Sequence, residues 1–375
     1  MRSPGTVALV AALGAALALA APPASAENNV IGAVYTMTNN PDANSVLQYD
    51  RLADGSLQFR DSYMTGGLGS GDGLGNQGGV VLSKDGRWLL VVNAGSDEIS
   101  VFAVRKDGLT LTDTEESGGV RPISVAIHHD LVYVVHAGGD VGDVDSVSAL
   151  HLNNHGGLAP LPGSSVALSE DSTGPAQIGF SPDGRFVLVT EKGTSTIAVF
   201  PLDADGYAES VLFNPSEGET PFAFAFGRRG RLFVSEVFGG TEDAGAVSSY
   251  RLLGDGSLYT IAASVANTET APCWLVVSKG GRYAFTTNTP DDSLSAYAVA
   301  PGGQLRLVDP DGRTGEPGAG TRPLDMDLAG DGRHLYTLNI GNGTISTFRV
   351  GPDGSLTLTS TFDGVPSGVN GLAAR

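Results

Sequence analysis

From residue 76 onward the chain sets short apolar runs between polar, glycine-bearing turns, and the same order returns six times. The apolar runs are WLLVV (88–92), VYVV (132–135), FVLVT (186–190), LFVSE (232–236), YAFTT (283–287) and LYTLN (335–339). They are too short for helices and rich in β-branched and aromatic residues, so they predict strands. A second strand precedes each run and begins after a proline in five of the six units. The two are joined by KDGR, HHDL, PDGR, RRGR, KGGR or GDGR, and all but HHDL carry the glycine of a tight hairpin. A polar loop then leads to a third strand with clear alternation, as in ISVFAV (99–104), IAVFPL (197–202) and ISTFRV (345–350). Turns such as KDGLTLT, GDGSLYT and PDGSLTL open a fourth.

Each unit therefore predicts four antiparallel strands, A to D. The units cover 76–104, 121–152, 174–202, 220–252, 271–299 and 322–350. Their spacing, roughly 43–55 residues, is that of propeller blades. The chain ends supply a seventh. Residues 33–59 contain strands B, C and D without an A, and PSGVNGLAAR (366–375) has the shape of a lone strand A. The expected fold is all-β, a seven-bladed β-propeller closed by N- and C-terminal strands that share one blade. With no helical segment or linker, residues 27–375 are expected to form one domain.

Residues 1–26 stand apart from this pattern. Arg2 precedes an Ala/Leu/Val-rich run, and Ala24-Ser25-Ala26 is a small-x-small cleavage signal. This predicts a secretory signal peptide cut after Ala26, hence an extracellular protein. No later segment is apolar enough to span a bilayer as a helix. The formal net charge is −19, and one unit more negative once Arg2 leaves. Such a chain repels phosphate backbones, which excludes nucleic acid, and it disfavours polyanionic substrates unless a local basic pocket exists. The single cysteine, Cys273, cannot form an internal disulfide, so stability must come from packing, and a buried inert thiol is expected.

The proline-led strand A, the SPDGRF turn (181–186) and the NAGSDEISVF stretch (93–102) resemble the lactonase-type seven-bladed propellers. That family includes cytosolic 6-phosphogluconolactonases and carboxymuconate cyclases. VVNAGSDEISVF (91–102) is also similar to the YVTN-type surface-layer repeat. The resemblance places the chemistry on the face built by the loops entering strand A and leaving strand B. It further implies a Pro-His pair where this chain has Pro175-Ala176, and Gly-Pro-Arg-His where it has Thr220-Pro221-Phe222-Ala223. The family's Asn-Glu-Leu reads Ser235-Glu236-Val237, which retains the glutamate. Its Asn-Arg-Gly reads Asn288-Thr289-Pro290. Loss of these cations argues against a phosphorylated sugar lactone or a tricarboxylate as substrate.

Aligning the repeats puts Asn39, Asn93, His136, Glu191, Glu236, Asn288 and Asn339 at the ends of the B strands, on that face. They either cap the loops or face a shared pocket. Lactone opening needs a proton-transfer group and a cation or donor for the oxyanion. The candidates are Glu236 as general base, His136 as acid or orienting group, and Arg322 or Arg121 as the cation, both arginines preceding a strand-A proline. Glu191, Asn93, Asn288, Asn339 and Trp274 are candidate binding residues. Asp325 and Asp327, two apart on a strand, either accept backbone bonds from the next blade or bind Ca²⁺; the acidic insertions 138–145 and 238–245 are further Ca²⁺ candidates. No other cofactor is expected. The glycine-rich segment 65–79 has no helix or Lys-Ser/Thr after it, so it reads as a flexible loop or lid, not a phosphate loop. Two functions follow: a secreted hydrolase of an unphosphorylated lactone, or a non-catalytic propeller that binds a small molecule or extracellular partner. A monomer is expected in either case.

Overall fold

The computed structural model describes Met1, residues 29–138 and residues 144–375. The expected leader, Met1 apart, and most of the acidic insertion at 138–145 lie outside the described residues. Among the described residues no helix is long and apolar enough to cross a membrane.

Seven antiparallel sheets form the ring, and each has the strand order the repeat predicts. Six contain four strands; the blade built on Pro122–His128 adds a short fifth, Val166–Ala167. Blades are numbered one to seven from the N-terminus. Blade one pairs Asn370–Ala374 with Val30–Met37, Val34 opposite Ala374 and Tyr35 opposite Ala373. Ser45–Leu52 and Leu57–Met64 complete it. Arg51 clamps this closure. Its Nε donates to the Arg375 carbonyl at 2.9 Å, and its Nη1 meets Asp331 of blade seven at 2.9 Å.

Strand B is sandwiched between the neighbouring sheets, so both of its faces are covered. Every residue of Trp88–Asn93, Phe186–Glu191 and His334–Asn339 is buried. That is why these runs are apolar without alternation. Nearer the axis, where seven A strands converge, side chains are small; Ala176 and Ala223 are both fully buried. Neighbouring blades also interlock at the rim. The C–D turn glycines Gly55, Gly156, Gly206, Gly256, Gly303 and Gly354, with φ of 86–101°, each lie on the first residue of strand B in the preceding blade. Those residues are His334, Trp88, Leu131, Phe186, Arg231 and Tyr283 respectively. A Cβ there would lie 2.4–3.5 Å from its neighbour, so the turn needs glycine for its φ and for the close approach.

The glycine-rich segment 65–79 turns inward at its end. The Gln77 carboxamide bonds both backbone groups of Leu275 in blade six, at 3.1 and 3.0 Å. The Gln77 amide donates to the Ala176 carbonyl of blade four, and its own carbonyl accepts from Ser124 Oγ of blade three. One residue thus ties three blades across the channel. Two adjoining cavities of about 440 and 490 Å³ lie on the A–B turn side of Gln77.

Candidate functional site

The seven side chains at the B-strand ends are 0–2 % exposed and are engaged by neighbouring strands and loops. Glu236 accepts from Gly218 N at 2.9 Å, from Ser264 Oγ at 2.6 Å and from Ser248 Oγ. Burial raises its carboxyl above the usual range, against those hydrogen bonds. Gly218 stands so close that a Cβ there would strike the carboxylate. His136 is bonded to Ser117 Oγ through Nε2 at 3.0 Å and to the Ser146 carbonyl through Nδ1 at 3.3 Å. A carbonyl only accepts, so Nδ1 carries the proton. Burial lowers this imidazole to about 4 and keeps it neutral. Glu191 is held by Ser169 and Thr194, Asn93 by Asn44 and Ser100, Asn288 by Asn267, Ser293 and Ser295, and Asn339 by Thr344 and Ser346.

The recurring geometry ties the loop after strand B to strand C, and in several blades to the loop before strand A. It corrects the expectation that Glu236 and His136 face a shared pocket: their polar atoms are already engaged and no surface is left for a lactone. Trp274 is corrected in the same way. It is 2 % exposed and tilted against Phe222 with ring centroids 5.2 Å apart, so neither face can stack a sugar.

Asp325 and Asp327 close the ring. Asp325 accepts from Leu372 N and Met326 N, and Asp327 from Ala374 N and Leu328 N, at 2.8–3.1 Å. Burial, with Asp327 adjacent, lifts Asp325 well above the carboxylate range; burial lifts Asp327 to about 7. Among the described residues no group of three His, Cys, Asp or Glu side chains is placed to hold a metal ion.

Arg121 and Arg322 both occupy the left-handed region, with φ of 57° and 48°. Their backbone amides donate to Asp97 and Asp292 at 2.7 Å. Among the described residues neither guanidinium forms an ion pair. They stand on blades three and seven, so the ring does not bring them together. The repeat alignment also passed over one charged residue. Lys192 lies one position beyond Glu191, where strand alternation reverses the side chain's direction. Its ammonium donates to the carbonyls of Gly75 and, at 3.0 Å, Pro175, and it lies 5.0 Å from the centre of the Phe222 ring. Phe222 occupies the place where the family motif has arginine. Burial lowers Lys192 to about 8; Cys273 and Asp145 oppose the shift and Arg121 adds to it. Burial pushes the Cys273 thiol up to about 12, despite a bond to Thr289, so it stays protonated and unreactive.

The signal for Lys192 was present in the sequence. The residues one past each B strand are Asn40, Ala94, Ala137, Lys192, Val237, Thr289 and Ile340, with a single charge among them.

The family model described as lactonase, 7-bladed beta-propeller, matches residues 34–170, 144–237 and 232–367. A protein of Lactococcus lactis subsp. cremoris is 28 % identical over 194 residues, 49 % of this chain and 55 % of the relative. A 6-phosphogluconolactonase of Serratia proteamaculans is 26 % identical over 51 % of this chain and 58 % of its own length. The chain thus spans little more than half the length of these two relatives. A 6-phosphogluconolactonase of Pectobacterium atrosepticum is 25 % identical over 72 % of this chain and 80 % of its own. Among solved structures, the periplasmic gluconolactonase of Pseudomonas aeruginosa superimposes with a TM-score of 0.66 at 20 % identity, covering 90 % of this chain and 98 % of that one. A Lactobacillus plantarum protein gives 0.69 at 16 %, covering 91 % and 99 %. At these identities the structural likeness speaks for the fold alone.

Proposed function

The chain belongs to the seven-bladed β-propeller lactonase family, and from that premise we propose that it is a secreted hydrolase of unphosphorylated lactones, with Lys192 as the proton-transfer group. The observation that carries this reading is the position of Lys192. Its amine is fixed by two backbone carbonyls at the channel mouth and is brought by burial to about 8. A neutral amine has two N–H groups and one lone pair. The carbonyls of Gly75 and Pro175 take both hydrogens, which leaves the lone pair for a water.

In this mechanism the water oxygen attacks the lactone carbonyl carbon while its proton passes to Lys192 Nζ. The Arg121 guanidinium stabilises the oxyanion that forms. Collapse breaks the ring C–O bond, and Lys192 returns the proton to the departing alkoxide, giving the open hydroxy acid. Substrate choice follows from the missing cations: Ala176 and Phe222 stand where the family motif has His and Arg, so a phosphorylated lactone would lack those partners for its phosphate. The periplasmic gluconolactonase among the structural neighbours and the leader-like residues 1–26 fit an exported role.

The test is turnover of unphosphorylated aldonolactones and aliphatic lactones by the mature protein, corrected for spontaneous hydrolysis. Ring opening that depends on Lys192 supports the proposal. Absence of turnover across the panel would favour a binding propeller, the reading that the bridging of the channel by Gln77 also suits.

A further inference from the structure

Two A–B turns of this ring neutralise their own arginine, and two other arginine-bearing turns lack the aspartate that does so. In blade two the turn Lys84-Asp85-Gly86-Arg87 neutralises its own arginine, Asp85 meeting Arg87 at 2.6 Å. In blade four Asp183 meets Arg185 at 2.7 Å. Blade five replaces that aspartate with Arg229 in Arg228-Arg229-Gly230-Arg231, and blade six replaces it with Gly280 in Lys279-Gly280-Gly281-Arg282. The two altered turns are neighbours. Together they line a pocket of about 180 Å³ with Arg228, Arg229, Arg231 and Arg282, floored by Phe233 and edged by Pro301.

Among the described residues none of these four guanidinium groups has a carboxylate within ion-pair distance. Arg231 donates only to the Arg228 carbonyl, at 3.3 Å, and Arg282 lies over its neighbour Tyr283. The stem of Arg231 packs on Gly303, and that of Arg228 on Gly281. Two of the stems are thus packed, and none of the four charges is neutralised by a carboxylate. In a chain with a net charge of −19, four unpaired arginines around one recess repel each other without compensation from within the fold. Planar guanidinium forks fit tetrahedral oxyanions, which they bind through paired N–H groups.

We propose that this pocket, on the face opposite Lys192, binds a small phosphate-bearing molecule. The recess is sized for one or two phosphate groups. It is a binding site separate from the lactone chemistry.

Calorimetric titration of the mature protein with inorganic pyrophosphate at low ionic strength tests this, because surface electrostatics are least screened there. Saturable binding at one site is expected, weakened about tenfold or more in Arg228→Gln/Arg282→Gln. The control is Arg87→Gln/Arg185→Gln, which removes the same net charge from paired arginines on the same face and should leave affinity within about twofold. Gly280→Asp is a second, constructive variant. It rebuilds the Lys-Asp-Gly-Arg turn of blade two, should pair with Arg282, and should also weaken binding. Inorganic polyphosphate in parallel separates a small ligand from a polymer, since only a polymer site would bind the long chain far more tightly per phosphate. Absence of saturable binding, or equal losses in the test and control pairs, overturns the proposal. Lactone turnover should be the same in all variants, so failure here is distinct from failure of the Lys192 mechanism.

Discussion

Lys192→Met keeps an unbranched apolar stem of nearly the same length while removing the amine. With the amine near 8, about one-tenth is neutral at pH 7, about half at pH 8 and about nine-tenths at pH 9. If the neutral amine is the base, kcat/KM should rise about tenfold from pH 7 to pH 9 and then level. A positioned general base contributes on the order of a hundredfold to ten-thousandfold, so Lys192→Met should lose at least about a hundredfold. Lys192→Arg should fail similarly, since it restores the charge but not the lone pair. Spontaneous lactone opening also accelerates with hydroxide, so the Met variant at each pH serves as the blank in a pH-stat assay. A flat profile, or one that falls above pH 8, would refute the assignment of the lysine as base; turnover in the Met variant within about twofold of wild type would refute its involvement. Stability gives a second readout. The folded state holds this amine below its ordinary value of 10.5, so the unfolded chain binds more protons between pH 8 and 10.5. Stability should therefore rise with pH across that window, by ~1–2 kcal/mol after solvent screening, and the Met variant should lack the rise.

Glu236→Gln should lower the melting temperature while leaving turnover per folded molecule unchanged, because an amide cannot accept from Ser248, Ser264 and Gly218 together; the cost is ~1–3 kcal/mol, read by calorimetry beside initial rates. Gly32→Ala would set a Cβ 1.9 Å from the Arg375 carbonyl and should destabilise the closing blade by ~1–3 kcal/mol, with Val34→Ala as a comparison that only removes volume. Asp327, raised to about 7 in the fold, contributes to stability while protonated. That contribution is complete below about pH 4 and lost as pH rises through 7. Carboxyl NMR titration should find a group near 7 that is absent from Asp327→Asn.

The blade count was legible because each blade repeats one grammar, and the shared closing blade because its missing strand A could be matched with the unpaired C-terminal segment. The fate of Asp325 and Asp327 was legible as one of two readings, since alternation put both on one face of a strand. The site was harder to read. A polar residue ending a buried strand looks the same whether it faces a pocket or ties a loop, and the serines that engage Glu236 come from strands C and D, 12 and 28 residues later. The anchor at the end of the glycine-rich segment 65–79 was not legible for a similar reason. What fixes its end is Leu275, 198 residues away, and no local pattern carries that information.

The shared closing blade sets an order of events. Thr36 bonds the backbone of Asn370, 334 residues later, so the ring is sealed by the most distant contacts in the chain. Contacts of that span carry the largest loop-closure entropy and tend to form late. Until residues 370–374 arrive, the Val30–Met37 strand is an open edge, and Asp325 and Asp327 lack the amides of Leu372 and Ala374. The last strand thus acts as a timing element, giving the nascent chain an interval in which it is folded blade by blade but not yet sealed.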